Sequence, residues 1–193
     1  MYGMENKKAI VPLADGFEEI EAVTIIDVLR RAGVEVAVAA LDGDSLDVEG
    51  AHNICVVADM TFDELDPAFT ASADALVLPG GMKAMEAFKA DERIMGMVRS
   101  FHARGKIVAA VCASPVVLHA AGVLKGKNAV CHPSVRAQLA DISIPDKRVV
   151  RDNNIITATG AGTTMEFALK IVEALTTKET AAELAAKMQV PQV

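Results

Sequence analysis

The sequence predicts an α/β sandwich around a mostly parallel sheet. Three observations carry that reading. Short apolar runs rich in valine and alanine recur along the chain, the mark of strands buried on both faces. Between them lie longer stretches with apolar residues at helical spacing. Gly33, Gly105 and Gly122 stand where three of those stretches should stop. Strands alternating with helices favour parallel βαβ units, in which ligand sites gather where the strands end at their carboxyl edge.

In chain order, Ala9–Leu13 reads as the first strand, and Asp15-Gly16 supplies turn chemistry before a helix over Glu18–Ala32. Val34–Leu41 is a second strand. Asp42–Asp47 is a turn, and Leu46–Val48 with Ile54–Ala58 forms a hairpin around Glu49-Gly50. Thr61–Leu65 reads as a short helical turn. Ala75–Leu78 is a buried strand closed by Pro79-Gly80-Gly81, with helices over Met82–Phe88 and Asp91–Ala103. Ile107–Val111 is a fully apolar strand. The helix after it runs to Ala121, and Pro115 suits its first turn, where a missing N–H is no loss. Ala129–Cys131 reads as a short strand broken by His132-Pro133, and Ser134–Leu139 as a helical turn. Arg148–Arg151 and Ile155–Thr157 flank a turn at Asp152-Asn153-Asn154, and Thr163–Leu175 and Lys178–Met188 are the closing helices.

A chain of 193 residues, 52% hydrophobic, is most simply one domain over 1–193 with a substantial core. The net charge of −7 and the lack of a basic run argue against nucleic acid as a partner. No apolar run is long enough to span a membrane, and Met1–Lys8 carries no apolar signal segment, so a cytoplasmic location is expected. Cys55, Cys112 and Cys131 are an odd number with no Cys-x-x-Cys pair, which speaks against a disulfide framework. Cys131 and His132 are adjacent, poor geometry for two ligands of one metal, so no metal site is expected.

Cys112 is the residue around which the chain is organised. It stands where the apolar run Ile107–Val111 stops and a helix begins, on a sharp strand-to-helix turn. That is the arrangement of a nucleophile elbow. Ala110 and Ser114, two residues to either side, are small enough to let the backbone turn tightly. The free N–H groups and dipole of the following helix favour a thiolate there. A cysteine in an apolar segment is also commonly inert core, and spacing alone leaves both readings open.

Glu21 shares a helix face with Ile25, Val28 and Leu29, the stripe that faces the core. A carboxyl group there is partly buried; protonated, it can donate to a thiolate. The alternative is a solvated residue of the first turn. Ile20, Val23 and Ile26 fall on the other face of that helix and suggest a second contact surface, such as a homodimer. Gly80-Gly81 allows close backbone approach to a ligand, with N–H groups that can bind an oxyanion, or is an ordinary turn. Thr159–Thr164 looks like the opening of a dinucleotide fingerprint but lacks its third glycine, so nucleotide binding is not expected and Thr163 or Thr164 is read as a helix cap. His132 is either a base near Cys112 or a structural histidine.

Taken together, these segments resemble the ThiJ/PfpI superfamily, in particular its Parkinson-associated deglycase and ThiJ-like subgroup. The resemblance runs from Lys8 to about Met188. It rests on Gly16-Phe17-Glu18-Glu19-Ile20-Glu21, Asp27–Gly33, Leu78-Pro79-Gly80-Gly81, Ala109–Pro115, His132-Pro133 and Gly160-Ala161-Gly162-Thr163, in order and at family spacing. It implies a flavodoxin-like three-layer sandwich and a homodimer. It implies Cys112 as the reactive cysteine, Glu21 as its proton-sharing partner and His132 beside the site. It also implies an anion pocket from the N–H groups of Gly81 and Ala113 next to Gly80, with Arg31 contributing near the dimer interface. The activity implied is a cofactor-free glyoxalase or deglycase acting on methylglyoxal-like dicarbonyls or their adducts. A redox-sensing chaperone with Cys112 oxidised to sulfinate is the second possibility, and a cysteine amidase or peptidase the third. Protease-like members carry histidine directly after the nucleophile. Here that position is Ala113, which weakens the peptidase reading. Ser114 stands where many relatives have glycine or alanine, and Met82 where some have asparagine, making the pocket wall more apolar.

Overall fold

The computed structural model describes residues 7–191 apart from 42 and 44, so the turn expected over Asp42–Asp47 and the segment Met1–Lys8 lie partly outside the described residues. In chain order the first elements are β1 (Lys8–Leu13), α1 (Glu19–Arg31), β2 (Glu35–Ala40), β3 (Asp47–Glu49), β4 (Cys55–Val57), β5 (Met60–Thr61) and α2 (Pro67–Ser72). Next come β6 (Ala75–Leu78), α3 (Met82–Ala90), α4 (Glu92–Ala103), β7 (Ile107–Val111) and α5 (Pro115–Ala120). The chain closes with β8 (Val149–Asp152), β9 (Ile155–Ala158), α6 (Thr164–Leu175) and α7 (Lys178–Lys187). Most boundaries agree with the sequence reading to within a residue or two.

The main sheet has the order β5-β2-β1-β6-β7-β9-β8. Its pairings are parallel except β8 against β9. β3 and β4 make a separate antiparallel pair. From β1 the chain moves to β2 on one side, whereas from β6 it moves to β7 on the other. Right-handed crossovers therefore put α1 and the α3–α4 pair on opposite faces. α1 packs on α6, which covers β7 and β9, while α4 covers β6 and β7 and α3 packs on α4 and α5. The result is the expected three-layer, flavodoxin-like sandwich. Phe17, Phe88, Phe101 and Phe167 are fully buried between the layers, each side chain contributing roughly 1.5–3 kcal/mol by leaving water.

The reversal of strand order between the parallel neighbours β1 and β6 is a topological switch point. In open parallel sheets it leaves a crevice at the carboxyl ends of the flanking strands. The loops after β1, β6 and β7 meet there, and these are the loops that hold the residues singled out above.

Four local expectations need correction. Ala129–Cys131 is not a strand: Val130 donates its N–H to the Thr157 hydroxyl at 2.9 Å and Ala129 to the Ser143 carbonyl at 3.0 Å, so the segment is satisfied without a ladder. α2 was not foreseen. It buries no residue and so leaves no apolar stripe; its one signal is Asp66-Pro67, where Asp66 accepts the Ala68 N–H at 2.8 Å and proline opens the helix. Thr163 does not cap α6 with its side chain; its hydroxyl instead bonds the N–H and carbonyl of Gly160. On α1, Ile20 and Val23 are exposed at 60% and 48%, but Ile26 is buried at 9%. The contact between α1 and α6 widens the buried stripe beyond the one read from spacing.

Candidate active site

Cys112 follows β7 directly and has φ of +62°, a left-handed conformation that a cysteine adopts only when its surroundings hold it there. Several bonds do so. Its N–H donates to Ala158 at 3.0 Å, and its carbonyl accepts the His132 N–H at 2.7 Å. Two residues on, the buried Ser114 donates its hydroxyl to the Pro79 carbonyl at 2.5 Å, tying the elbow to the turn after β6. The side chain is half-buried at the head of α5, and the N–H groups of Ala113 and Gly81 point to its sulfur. The elbow expected from spacing is thus present.

Glu21, in the first turn of α1, is 0% exposed. Its Oε2 accepts the Gly80 N–H at 2.8 Å, its Oε1 is buried without a hydrogen-bonding partner, and the carboxyl group interacts with the Cys112 thiol. Burial pushes Glu21 up to about 7, against the Gly80 N–H and the thiol, which favour the anion. Burial also pushes Cys112 up to about 12, reinforced by the charge and hydrogen bond of Glu21 and opposed by the N–H groups of Ala113 and Gly81. The two groups behave as one acid pair. The first proton leaves near 7; the second has to leave sulfur beside an anion. In between, one proton remains on the pair, held towards sulfur by burial and by the Glu21 carboxylate, while the two N–H groups at sulfur act the other way.

Two glycines make this contact possible. A methyl group on Gly80 would run into Glu21 Oε2 and lie 2.6 Å from Cys112 Cβ. Gly81 has φ of +102°, and a methyl group there would overlap the Gly16 carbonyl and sit 2.8 Å from Phe17 Cα. The part of Gly80 differs from the one expected. Its N–H is spent on Glu21, so the donors left for an oxyanion are Gly81 and Ala113. His132 accepts the Ser134 N–H at Nδ1 (3.2 Å), and the Ser134 hydroxyl lies 2.7 Å from the same atom. With Nδ1 an acceptor, a neutral ring carries its proton on Nε2. Its Cδ2 and the Cys112 sulfur flank Gly160, at 3.5 and 3.9 Å from where a methyl group would sit. Arg31 does not join the site within this chain. It lies ten residues along α1 from Glu21, about 15 Å at the helical rise, and its Nε pairs with Asp27 at 2.6 Å.

A cleft of about 730 Å³ opens over the sulfur. Cys112, Ala113, Gly81 and His132 form its floor, Met82 and Lys83 one side, and the β3–β4 tip another. That tip, with Glu49, Gly50, Ala51 and Asn53, is the part of the wall sequence reasoning missed. Among the described residues, the one grouping with metal-ligand spacing is Glu18, Glu19 and His52. There Nδ1 of His52 is already bonded to Glu19 Oε2 at 2.8 Å.

The family model described as DJ-1/PfpI family matches residues 7–174. Protein DJ-1 homolog B of Arabidopsis thaliana is 46% identical over 165 residues, covering 85% of this chain but 37% of that protein. The chain therefore spans well under half the length of that relative. Protein dj-1beta of Drosophila melanogaster is 39% identical over 182 residues, 93% of this chain and 95% of that one. Deglycase PH1704 of Pyrococcus horikoshii is 31% identical over 153 residues, 78% and 89% of the two chains. Among solved structures, Drosophila melanogaster DJ-1beta superposes with a TM-score of 0.90 at 38% identity, covering 97% of this chain and all of that one. Oxidized Toxoplasma gondii DJ-1 gives 0.89 at 39% identity, covering 96% and 100%.

Proposed function

This chain belongs to the DJ-1/PfpI family, and from that premise we propose that it is a cysteine-dependent enzyme of the glyoxalase or deglycase type, acting on methylglyoxal-like dicarbonyls or their adducts. The observation that carries the reading is the contact between a half-buried Cys112 thiol and the carboxyl group of a fully buried Glu21, with two N–H groups aimed at the sulfur. A relative named as a deglycase, alike over 78% of this chain, supports the same reaction class.

The thiolate of Cys112 adds to the aldehyde carbon, and the carbonyl electrons move to oxygen, which the Gly81 and Ala113 N–H groups stabilise. Glu21 gives its proton to that oxygen, leaving a hemithioacetal and a carboxylate. The carboxylate then takes the proton from the carbon bonded to sulfur and returns it to the neighbouring carbon, while the hydroxyl proton passes from the first oxygen to the second, so the former aldehyde carbon becomes a thioester and the former ketone a hydroxyl. Water cleaves the thioester to lactate and restores the thiol. Methylglyoxal and water go in and lactate and a proton come out, with no cofactor in the balance. His132, with its proton on Nε2, serves as a donor at the cleft floor.

A second reading is favoured by one feature, the unpartnered Oε1 of Glu21. A protonated carboxyl there can donate to a sulfinate oxygen, which suits a redox-sensing role for Cys112; one structural neighbour is described as oxidized. A homodimer through the exposed Ile20 and Val23 of α1 accompanies either reading. Arg31 then reaches an anion pocket only across the interface between copies. Three free cysteines suit a reducing, cytoplasmic setting.

The test is lactate formation from methylglyoxal by reduced, metal-free protein beside Cys112→Ser and Glu21→Gln. Multiple turnovers lost in both variants are expected. One-for-one consumption of methylglyoxal, or none, would sink the enzyme reading and favour the redox sensor.

A further inference from the structure

Glu19 stands two residues from Glu21, points elsewhere, and has no part in the chemistry above. It is 5% exposed, unusual for a carboxylate in a helix's first turn. Its Oε1 accepts the His52 N–H at 2.5 Å and the Ile54 N–H at 3.5 Å, and its Oε2 bonds His52 Nδ1 at 2.8 Å. Gly50 lies flush on the carboxyl group, so closely that a methyl group on it would overlap Glu19 Cδ and Oε1. Around this contact the backbone is stitched to the loop after β1: Gly16 N–H to Glu49 O at 2.7 Å, and Ala51 N–H to Phe17 O at 2.8 Å. The β3–β4 pair has no ladder to the main sheet. Its tip is placed by these bonds, and the tip supplies Glu49, Gly50, Ala51 and Asn53 to the cleft over Cys112.

We propose that Glu19 is a positioning residue that holds the β3–β4 tip as one wall of the substrate cleft and so sets which substrates reach Cys112. The acidic run at the start of α1 thereby divides its labour: Glu21 shares a proton with sulfur, and Glu19 shapes the space above it. The proposal rests on the reading of that cleft as the substrate site.

The experiment compares Glu19→Ala, Glu19→Gln and Gly50→Ala in the full chain, by methylglyoxal kinetics and by hydrogen exchange at residues 49–54. Glu19→Ala is expected to raise KM about tenfold and to lower protection of the Ala51, His52 and Ile54 amides by a similar factor, as removal of a buried charged acceptor implies. kcat should stay within about threefold, because Glu21 and Cys112 are untouched. Glu19→Gln keeps an acceptor oxygen for the two N–H groups and should recover most of the loss. Gly50→Ala should reproduce the Glu19→Ala pattern with Glu19 intact. Unchanged KM and exchange in Glu19→Ala would overturn the proposal, as would a fall in kcat alone. If Glu19→Ala does not fold, Gly50→Ala decides in the same way. If the unsubstituted protein does not turn over methylglyoxal, the functional reading has failed separately. Exchange at 49–54, with the ratio of N-ethylmaleimide to iodoacetamide labelling at Cys112, then decides the wall: a ratio unmoved by Glu19→Ala would overturn it.

Discussion

Glu21 and Cys112 titrate as a coupled buried pair, and that has consequences for both reactivity and stability. The first proton leaves the pair near 7. Alkylation of Cys112 by iodoacetamide should therefore rise with a midpoint near 7, because the remaining proton can sit on the carboxyl group and free the sulfur. In Glu21→Gln no partner can hold the proton, and a buried thiol must ionise alone. The midpoint should move upward; one that stays put would show that Glu21 does not share the proton. The stability effect has a definite sign. Folding raises Glu21 from 4.5 to about 7, so between those values the unfolded chain loses a proton that the folded one keeps. Stability from this group is full below 4.5 and falls as pH rises through 7, by about 3 kcal/mol. Urea midpoints from pH 4.5 to 7.5 should show that slope in the native protein and lose most of it in Glu21→Gln. Gly81→Ala should lower the urea midpoint more than Glu21→Gln does, since it combines a left-handed φ with overlap onto backbone atoms.

At the scale of elements, the site depends on how the turns after β6 and β7 are joined. The Ser114 hydroxyl bond to Pro79 is the buried side-chain link between them. Ser114→Ala leaves the Pro79 carbonyl without that donor and should cost about 1–2 kcal/mol, read as a lowered urea midpoint with an unchanged slope. The sequence reading reached Ser114 as a small residue beside the elbow but had no means of finding the acceptor of its hydroxyl, 35 residues away. The same limit separates what was legible from what was not. Cys112 at the end of an apolar run, Pro115 opening a helix and Glu21 on the core stripe are local patterns, and each was readable. The Gly80 N–H looked free because the carboxyl group that takes it is 59 residues earlier in the chain. Glu19 carried no local mark of its role because His52, its partner, is 33 residues later. Ala129–Cys131 read as a strand because its partners, a lone bridge and a threonine hydroxyl, leave no trace in periodicity.

For the whole molecule, the switch point between β1 and β6 explains why loops far apart in sequence share one crevice, and it also directs the first turns of α1 toward the surface beside that crevice. Ile20 and Val23 project from α1 there, and the exposed Ile54 lies close by, since its N–H reaches Glu19. Apolar side chains on a helix that flanks the cleft over Cys112 are an unfavourable thing to leave in water, and a second copy of the chain is the proposed occupant. In a two-fold interface each such residue is placed against the partner's equivalent surface, so one charge introduced on α1 counts twice. Val23→Arg should therefore convert the dimer to monomer in light scattering at micromolar concentration, with far-ultraviolet circular dichroism unchanged because Val23 lies outside the core. If Glu21 and Cys112 suffice for the chemistry, the monomer should keep its iodoacetamide rate at Cys112. If Arg31 of the second copy contributes to anion contacts, as the family resemblance implies, the monomer should instead lose affinity for an anionic substrate while neutral methylglyoxal is spared. A native protein that scatters as a monomer at the same concentration would remove the dimer, and with it any role for Arg31 at the cleft.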